Sequence, residues 1–334
     1  MRPTAAGPLE AAPPVGPGLM SGERPRRFLS VLDLDPAELD ATLQLAARLK
    51  QERQLGPCAP TAGALAGRHV ALLFDKPSLR TRVTFEVAVR ELGGQVLTLP
   101  ADVALGGREP VADVARNLER WVHAVVIRTF AQQVVEEFAA AAPRLAVVNA
   151  LTDEEHPCQA LADYLTLQEF AAPLRGRTIA YVGDGNNVAT SLAEAGVMLG
   201  VTVHVATPPG YGLPERVIAA IEGVARHGAR LRQFTDPREA VRGAAAVYTD
   251  VWTSMGQERE AAERRRAFAG YQVNAELMAA ARGARFMHCL PAHRGEEVSA
   301  EVFESPASVV LDQAENRLHT QKALLVRLLA PRYA

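Results

Sequence analysis

Short runs of branched apolar residues, each closed by a turn and followed by a helical pattern, recur along this chain. HVALLF (69–74), QVLTL (95–99), AVVIRTF (124–130) and LAVVNAL (145–151) form a first set. TIAYVGDG (178–185), TVHVAT (202–207), AVYTDV (246–251) and ARFMHCL (284–290) form a second. Strands that are apolar on both faces and alternate with helices build parallel sheets covered by helices on each side. The helical stretch HPCQALADYLTLQEF (156–170) separates the two sets. The expected fold is therefore α/β: two doubly wound parallel-sheet domains, with the active site in the cleft between them. Residues 1–27, rich in Pro, Gly and Ala, are expected to be a disordered leader, with Met20 as an alternative start. The first domain is expected over 28–160, completed by a final helix over 313–330, and the second over 161–312. A further helix is expected from Pro36, with Asp35 as its N-cap.

Bulk properties exclude several classes. The net charge of −2 over 334 residues gives no global positive field for nucleic acid or an anionic membrane. No apolar run reaches the roughly eighteen residues a transmembrane helix needs. Lys50, Lys76 and Lys322 are the only lysines, and arginine supplies the rest of the positive charge in an alanine-rich chain. That bias is expected of a GC-rich genome, so the number of arginines says nothing about function. Cys58, Cys158 and Cys289 are too few and too scattered for a disulfide framework, which points to a reducing, cytoplasmic compartment.

Function is more legible at the strand tips. KPSLRTRVTFE (76–86) passes from a strand through a turn into a helix, whose first free amides and dipole suit an anion. Ser78 can cap, Thr81 can donate a hydroxyl, and Arg80 can grip a phosphate with parallel bonds. Arg82 lies about 200° round the helix from Arg80 and is better placed to pair with Glu86. GDGNN (183–187) resembles a dinucleotide turn, but Val188 occupies the third glycine position and HVATPPG (204–210) brings no carboxylate for a ribose. Asn186 and Asn187 offer amides suited instead to an amino-acid ligand. Asp250 ends a strand before the loop Ser254-Met255-Gly256, and Arg128 ends another. FMHCLPAHRGEE (286–297) gathers histidine, cysteine and glutamate, yet His156, Cys158, His288, Cys289 and His293 lack the spacing of a metal set. No metal and no cofactor are expected.

Taken together, SLRTR, HPCQ, GDGNN, DVWTSMGQE, HCLPAHRGEE and QAENRLHTQKAL resemble, in order and spacing, the motifs of ornithine carbamoyltransferases, from about residue 28 to residue 330. The resemblance implies a transferase of arginine biosynthesis that makes L-citrulline and phosphate from carbamoyl phosphate and L-ornithine, as a homotrimer or a multiple of trimers. It implies that Ser78, Leu79, Arg80 and Thr81 hold the phosphate, with Arg128 bridging phosphate and carbonyl. His156, Gln159, Cys289, Leu290 and Arg317 would surround the carbamoyl group. Asn187, Asp250, Ser254, Met255 and Cys289 would hold ornithine, with Arg128, His156, Asp250 and Cys289 as the catalytic set. Two positions depart from the family pattern. Leu79 replaces a threonine whose contact is through backbone. Ala104, in DVALGG (102–107), replaces a glutamine or histidine that reaches a neighbouring subunit's ligand, leaving Arg108 as the nearest substitute. Another amine acceptor (putrescine or an N-acylornithine) and a nicotinamide oxidoreductase are the alternatives.

Overall fold

The computed structural model describes residues 27–100, 105 and 108–334. The leader through residue 26, Met20 and Ala104 lie outside the described residues. The first sheet contains β1 (Arg27–Phe28), β2 (His69–Phe74), β3 (Gln95–Pro100), β4 (Ala124–Arg128) and β5 (Ala146–Leu151), in the order β1-β5-β4-β2-β3. The second contains β6 (Thr178–Val182), β7 (Thr202–Ala206), β8 (Leu231–Phe234), β9 (Ala246–Thr249) and β10 (Arg285–His288), in the order β10-β9-β6-β7-β8. Every pairing is parallel. The two doubly wound sheets are those the alternating pattern predicts. Two strands were not expected. Arg27–Phe28 pairs with Val147 and Val148, so Arg27 belongs to the sheet and not to the leader. Leu231–Phe234 (LRQF) is an edge strand whose central residues are exposed, which hides it from an apolar pattern.

The helices form where sequence and capping agree. α1 (Pro36–Glu52) opens with a capping box in which Asp35 and Glu38 each accept the other's backbone N–H. α2 (Leu79–Glu91) follows β2 and ends at Gly93, whose φ of +81° favours glycine. α3 (Val111–Leu118) and α4 (Gln132–Ala141) cover the first sheet, and α5 (Pro157–Ala171) leads to the second. α6 (Asn187–Met198) follows β6, and α12 (Val310–Leu329) closes the chain after the short helices α7 (Glu215–Val224), α8 (Pro237–Ala240), α9 (Ala261–Ala267), α10 (Ala275–Ala280) and α11 (Ala300–Phe303). α12 starts earlier than the expected residue 313 and packs on α1, α2 and α5. Arg317 lies inside this helix.

Leu72, Val126 and Val148 of the first sheet pack into one buried cluster with Leu161 and Tyr164 of α5, Leu192 of α6 and Leu324 of α12. Burying each of the aliphatic side chains contributes about 2 kcal/mol. This shared core fixes the two sheets relative to one another. In each sheet the strand order reverses once, between β2 and β4 in the first and between β6 and β9 in the second. Ligands of open α/β sheets bind outside the strand carboxyl ends at such reversals. Here the two reversals face the same cleft.

Candidate active site

The cleft has a volume of about 1010 Å³ and runs between the carboxyl ends of both sheets. Ser78, Leu79, Arg80, Thr81, Arg128, His156, Asn187, Asp250, Ser254, Met255, Cys289, Leu290 and Arg317 all line it. Gln159 lies behind the wall and accepts a 2.6 Å hydrogen bond from Arg317 Nη1.

One half of the cleft is cationic. Ser78 takes the N-cap position of α2 in extended conformation, but its hydroxyl accepts no capping bond, so the helix start keeps its amide donors. Arg82 pairs with Glu86 at 3.4 Å as its spacing predicts. Arg128 is the last residue of β4, where the register with β5 shifts between Ile127 and Arg128. Such an irregularity re-aims a side chain at a strand end. Its guanidinium is buried, and Nε has no partner among the described residues. Burial first, and then the neighbouring Arg317, push the Arg128 pKa down to about 10. Arg317 is buried too, and its Nη2 donates to Thr81 Oγ1 at 3.0 Å. The two buried guanidinium groups repel each other and are kept at one cleft only by the surrounding fold, and an anion between them relieves the repulsion. His156 faces the same space, and its Nδ1 has no partner among the described residues. Burial and then the charges of Arg317, Arg128 and Lys76 hold its pKa well below the usual value, so the imidazole is neutral.

The other half is polar and anionic. Asp250, just beyond β9, accepts from Asn186 Nδ2 at 2.8 Å and from Cys289 Sγ at 2.9 Å. Asn186 Oδ1 also caps α6 through the amides of Val188 and Ala189. Burial and then the Asp250 charge push the Cys289 thiol well above its ordinary value, so the sulfur keeps its proton and is no thiolate nucleophile. The GDG turn before α6 serves a close approach: a Cβ on Gly185 would lie 2.6 Å from the Gly212 carbonyl carbon. Packing thus accounts for this glycine without a dinucleotide.

The loop after β10 is held by buried acid. Glu297 Oε1 meets His288 Nε2 at 3.1 Å, and His288 Nδ1 accepts the Leu290 N–H at 2.8 Å. Leu290 itself sits at φ +63°, a left-handed position that costs about 1–3 kcal/mol and persists only where neighbours fix it. Asp250, His288 and Cys289 converge closely enough to hold a metal ion, as do His293, Glu296 and Glu297. In the first group, however, both His288 ring nitrogens and both Asp250 oxygens already have hydrogen-bond partners.

Sequence reasoning missed two lining cations. Lys76 is buried, pairs with Asp153 and lies 4.1 Å over the Phe130 ring. Its signal was its rarity in a chain with three lysines. Arg264 bonds Asp184 at 2.8 Å and the Trp252 carbonyl at 3.0 Å, tying the 252–260 loop to the GDG turn.

Comparison with known proteins agrees with this architecture. Residues 26–169 match the aspartate/ornithine carbamoyltransferase carbamoyl-P binding domain, and residues 175–328 match the Asp/Orn binding domain of the same family. The chain is similar to the ornithine carbamoyltransferase of Acidothermus cellulolyticus, with 54% identity over 91% of this chain and 96% of that relative. It is similar to that of Thermus thermophilus, with 50% identity over 93% of this chain and 100% of the relative. The crystal structure of ornithine carbamoyltransferase from Thermus thermophilus superposes with a TM-score of 0.82 and 46% identity, covering 92% of this chain and 100% of that one. The ornithine carbamoyltransferase from Pyrococcus furiosus superposes with a TM-score of 0.86 and 47% identity, covering 92% of this chain and 97% of its own. A family match across both sheets, with both strand-order reversals opening on one cleft, has one conclusion: the chain belongs to the aspartate/ornithine carbamoyltransferase family.

Proposed function

We propose that this protein is an ornithine carbamoyltransferase, which moves the carbamoyl group of carbamoyl phosphate to the δ-nitrogen of L-ornithine and releases L-citrulline and phosphate. The observation that carries this reading is the facing of buried Arg128 and Arg317 with the Asp250–Cys289 pair across one cleft. The first domain (28–160 with 313–330) then takes carbamoyl phosphate and the second (161–312) takes ornithine. Phosphate sits on the Ser78–Thr81 helix start with Arg80, and Arg128 spans phosphate and carbonyl. Neutral His156 and Arg317 flank the carbamoyl group, with the Leu290 backbone, while Gln159 acts by steadying Arg317. Asn187, Asp250, Ser254 and Met255 hold the α-amino and α-carboxylate groups of ornithine.

The chemistry follows from these charges. An amine attacks only when unprotonated, and the δ-ammonium has a reference pKa of about 10.4, as for lysine. Buried cations beside the reacting carbon disfavour the ammonium form, and Cys289 orients the neutral nitrogen. Attack puts negative charge on the carbonyl oxygen, where Arg128, His156 and Thr81 supply fixed donors. The carbon–oxygen bond to phosphate breaks, and phosphate accepts the amine's proton. Closure of the cleft by the Ser254–Gly256 loop, whose Gly256 has φ +95°, excludes water from a hydrolysable substrate.

The same reading makes the protein a cytoplasmic homotrimer, or a multiple of trimers, of arginine biosynthesis. It is supported by free Cys58, Cys158 and Cys289 and by the exposed apolar residues Leu79, Val83 and Leu97 of the first domain. Among the described residues, no helix is long and apolar enough to cross a membrane. The deciding assay measures citrulline from carbamoyl phosphate with ornithine, putrescine and N-acetylornithine in parallel. Ornithine is expected to be used far faster, and preferential use of either other amine overturns the assignment.

Two further results are expected. Cys289→Ser keeps measurable turnover but needs more ornithine, because the hydroxyl can still donate to Asp250 while fitting the amine less well. A carbamoyl group trapped covalently on Cys289 by mass spectrometry contradicts this. EDTA leaves activity unchanged, since the Asp250 and His288 donor atoms are already engaged; loss with EDTA that zinc restores returns the metal reading.

A further inference from the structure

Behind the cleft lies a buried carboxyl pair that the reaction above does not use. Glu155, in the turn before α5, and Glu194, on α6, are both buried and lie against one another. Neither forms an ion pair among the described residues. Two buried carboxyl groups in contact and without a countercharge cannot both be ionised, so one of them carries a proton. Ser30 Oγ donates to Glu155 Oε1 at 2.7 Å, and Ser191 Oγ donates to Glu155 Oε2. Ser191 Oγ in turn accepts the His156 backbone N–H at 2.9 Å. The other charge facing the pair is Asp33, itself paired with Arg27 at 3.3 Å. Glu155 thus has hydroxyl donors on both oxygens and suits the charged role. Glu194 Oε2 has no partner among the described residues, which suits the neutral one.

We propose that Glu194 holds a proton and donates it to the Glu155 carboxylate, and that this chain, through Ser191, fixes the His156 backbone and aims the imidazole at the carbamoyl group. Both glutamates are positioning residues; neither touches substrate. Burial and the adjacent Glu155 charge keep the Glu194 carboxyl protonated far above the usual range, up to about 10. The link joins the first domain's turn to the second domain's helix, so it also ties the seam at the point from which His156 projects. Its catalytic consequence rests on the carbamoyltransferase reading, but the proton itself does not.

The test uses the full-length protein and has two arms. Infrared spectra in D2O at a pH of about 8.5, above the pKa of about 7 to which burial raises Asp163, report the carbonyl band of a protonated carboxyl. The band is expected in the parent and absent in Glu194→Gln. In the citrulline assay, Glu194→Gln, whose amide can still donate to Glu155, keeps the parent rate. Glu194→Ala lowers kcat about tenfold with both KM values little changed, because the donor to carbonyl is misaimed while the substrate contacts stay. A band missing in the parent or persisting in Glu194→Gln overturns the proposal, as does a Glu194→Ala variant at the parent rate. If the alanine variant does not fold, a large kcat loss in Glu194→Gln is the overturning result. A parent that makes no citrulline refutes the carbamoyltransferase reading and leaves the infrared arm intact.

Discussion

Replacing Arg128 by alanine lowers kcat by about a hundred- to a thousandfold, the usual effect of removing one preorganised donor to a developing oxyanion. The ornithine KM changes little, because Asp250 and Asn187 lie on the opposite wall. The size of the effect follows from placement. The guanidinium sits at the end of a fully buried strand, its Nε has no partner among the described residues, and the irregular β4–β5 register turns it toward the cleft. A surface arginine would give water the same opportunity to solvate the oxyanion; this one replaces water. Arg128→Lys recovers little, since a single ammonium cannot bridge phosphate and carbonyl oxygens as a planar fork does. Steady-state kinetics with each substrate varied distinguishes this from loss of binding. An alanine variant that turns over at the parent rate removes Arg128 from the mechanism.

The second large effect is on the other wall. Asp250 is a buried carboxylate whose partners, Asn186 and Cys289, are both neutral, and it has no ion pair among the described residues. A charge removed from water without a countercharge is unfavourable, and the ammonium of ornithine supplies one. Asp250→Asn keeps the shape and removes the charge. About 3 kcal/mol of charge-assisted bonding is lost, which raises the ornithine KM about a hundredfold. The KM for carbamoyl phosphate stays near the parent value. Equal weakening of both substrates would mean that Asp250 supports the fold of the cleft and does not read the amine.

Much of this site could be read from local pattern. The strand tips at Ser78–Thr81, Arg128, Asn187, Asp250 and Cys289 carry polar residues directly after apolar runs, and a parallel sheet sends all such tips to one edge. Helix phase correctly separated Arg80, on the cleft, from Arg82, paired with Glu86. What local pattern does not show depends on distant contacts. Arg317 is implied by the family resemblance alone, because it reaches Thr81 and Gln159 through the folding of α12 back across α1, α2 and α5. Lys76 is an ordinary solvated lysine by sequence and becomes a cleft cation through Asp153 and Phe130. Glu155 and Glu194 carry no local signal at all, since glutamate in a turn or helix is usually exposed and only the domain seam buries them. The edge strand Leu231–Phe234 was missed because its exposed central residues, Arg232 and Gln233, leave no apolar run to see.

In the proposed reaction both reactants meet between the two strand-order reversals, cations on one side and Asp250 with Cys289 on the other. A crystal structure with ornithine and the non-transferable analogue of carbamoyl phosphate, in which methylene replaces the bridging oxygen, tests it directly. The phosphonate is expected on the Ser78–Thr81 helix start within bonding distance of Arg80 and Arg128, and the δ-nitrogen of ornithine beside Cys289. Either molecule bound outside this cleft, or ornithine turned with its δ-nitrogen away from the carbamoyl carbon, contradicts it.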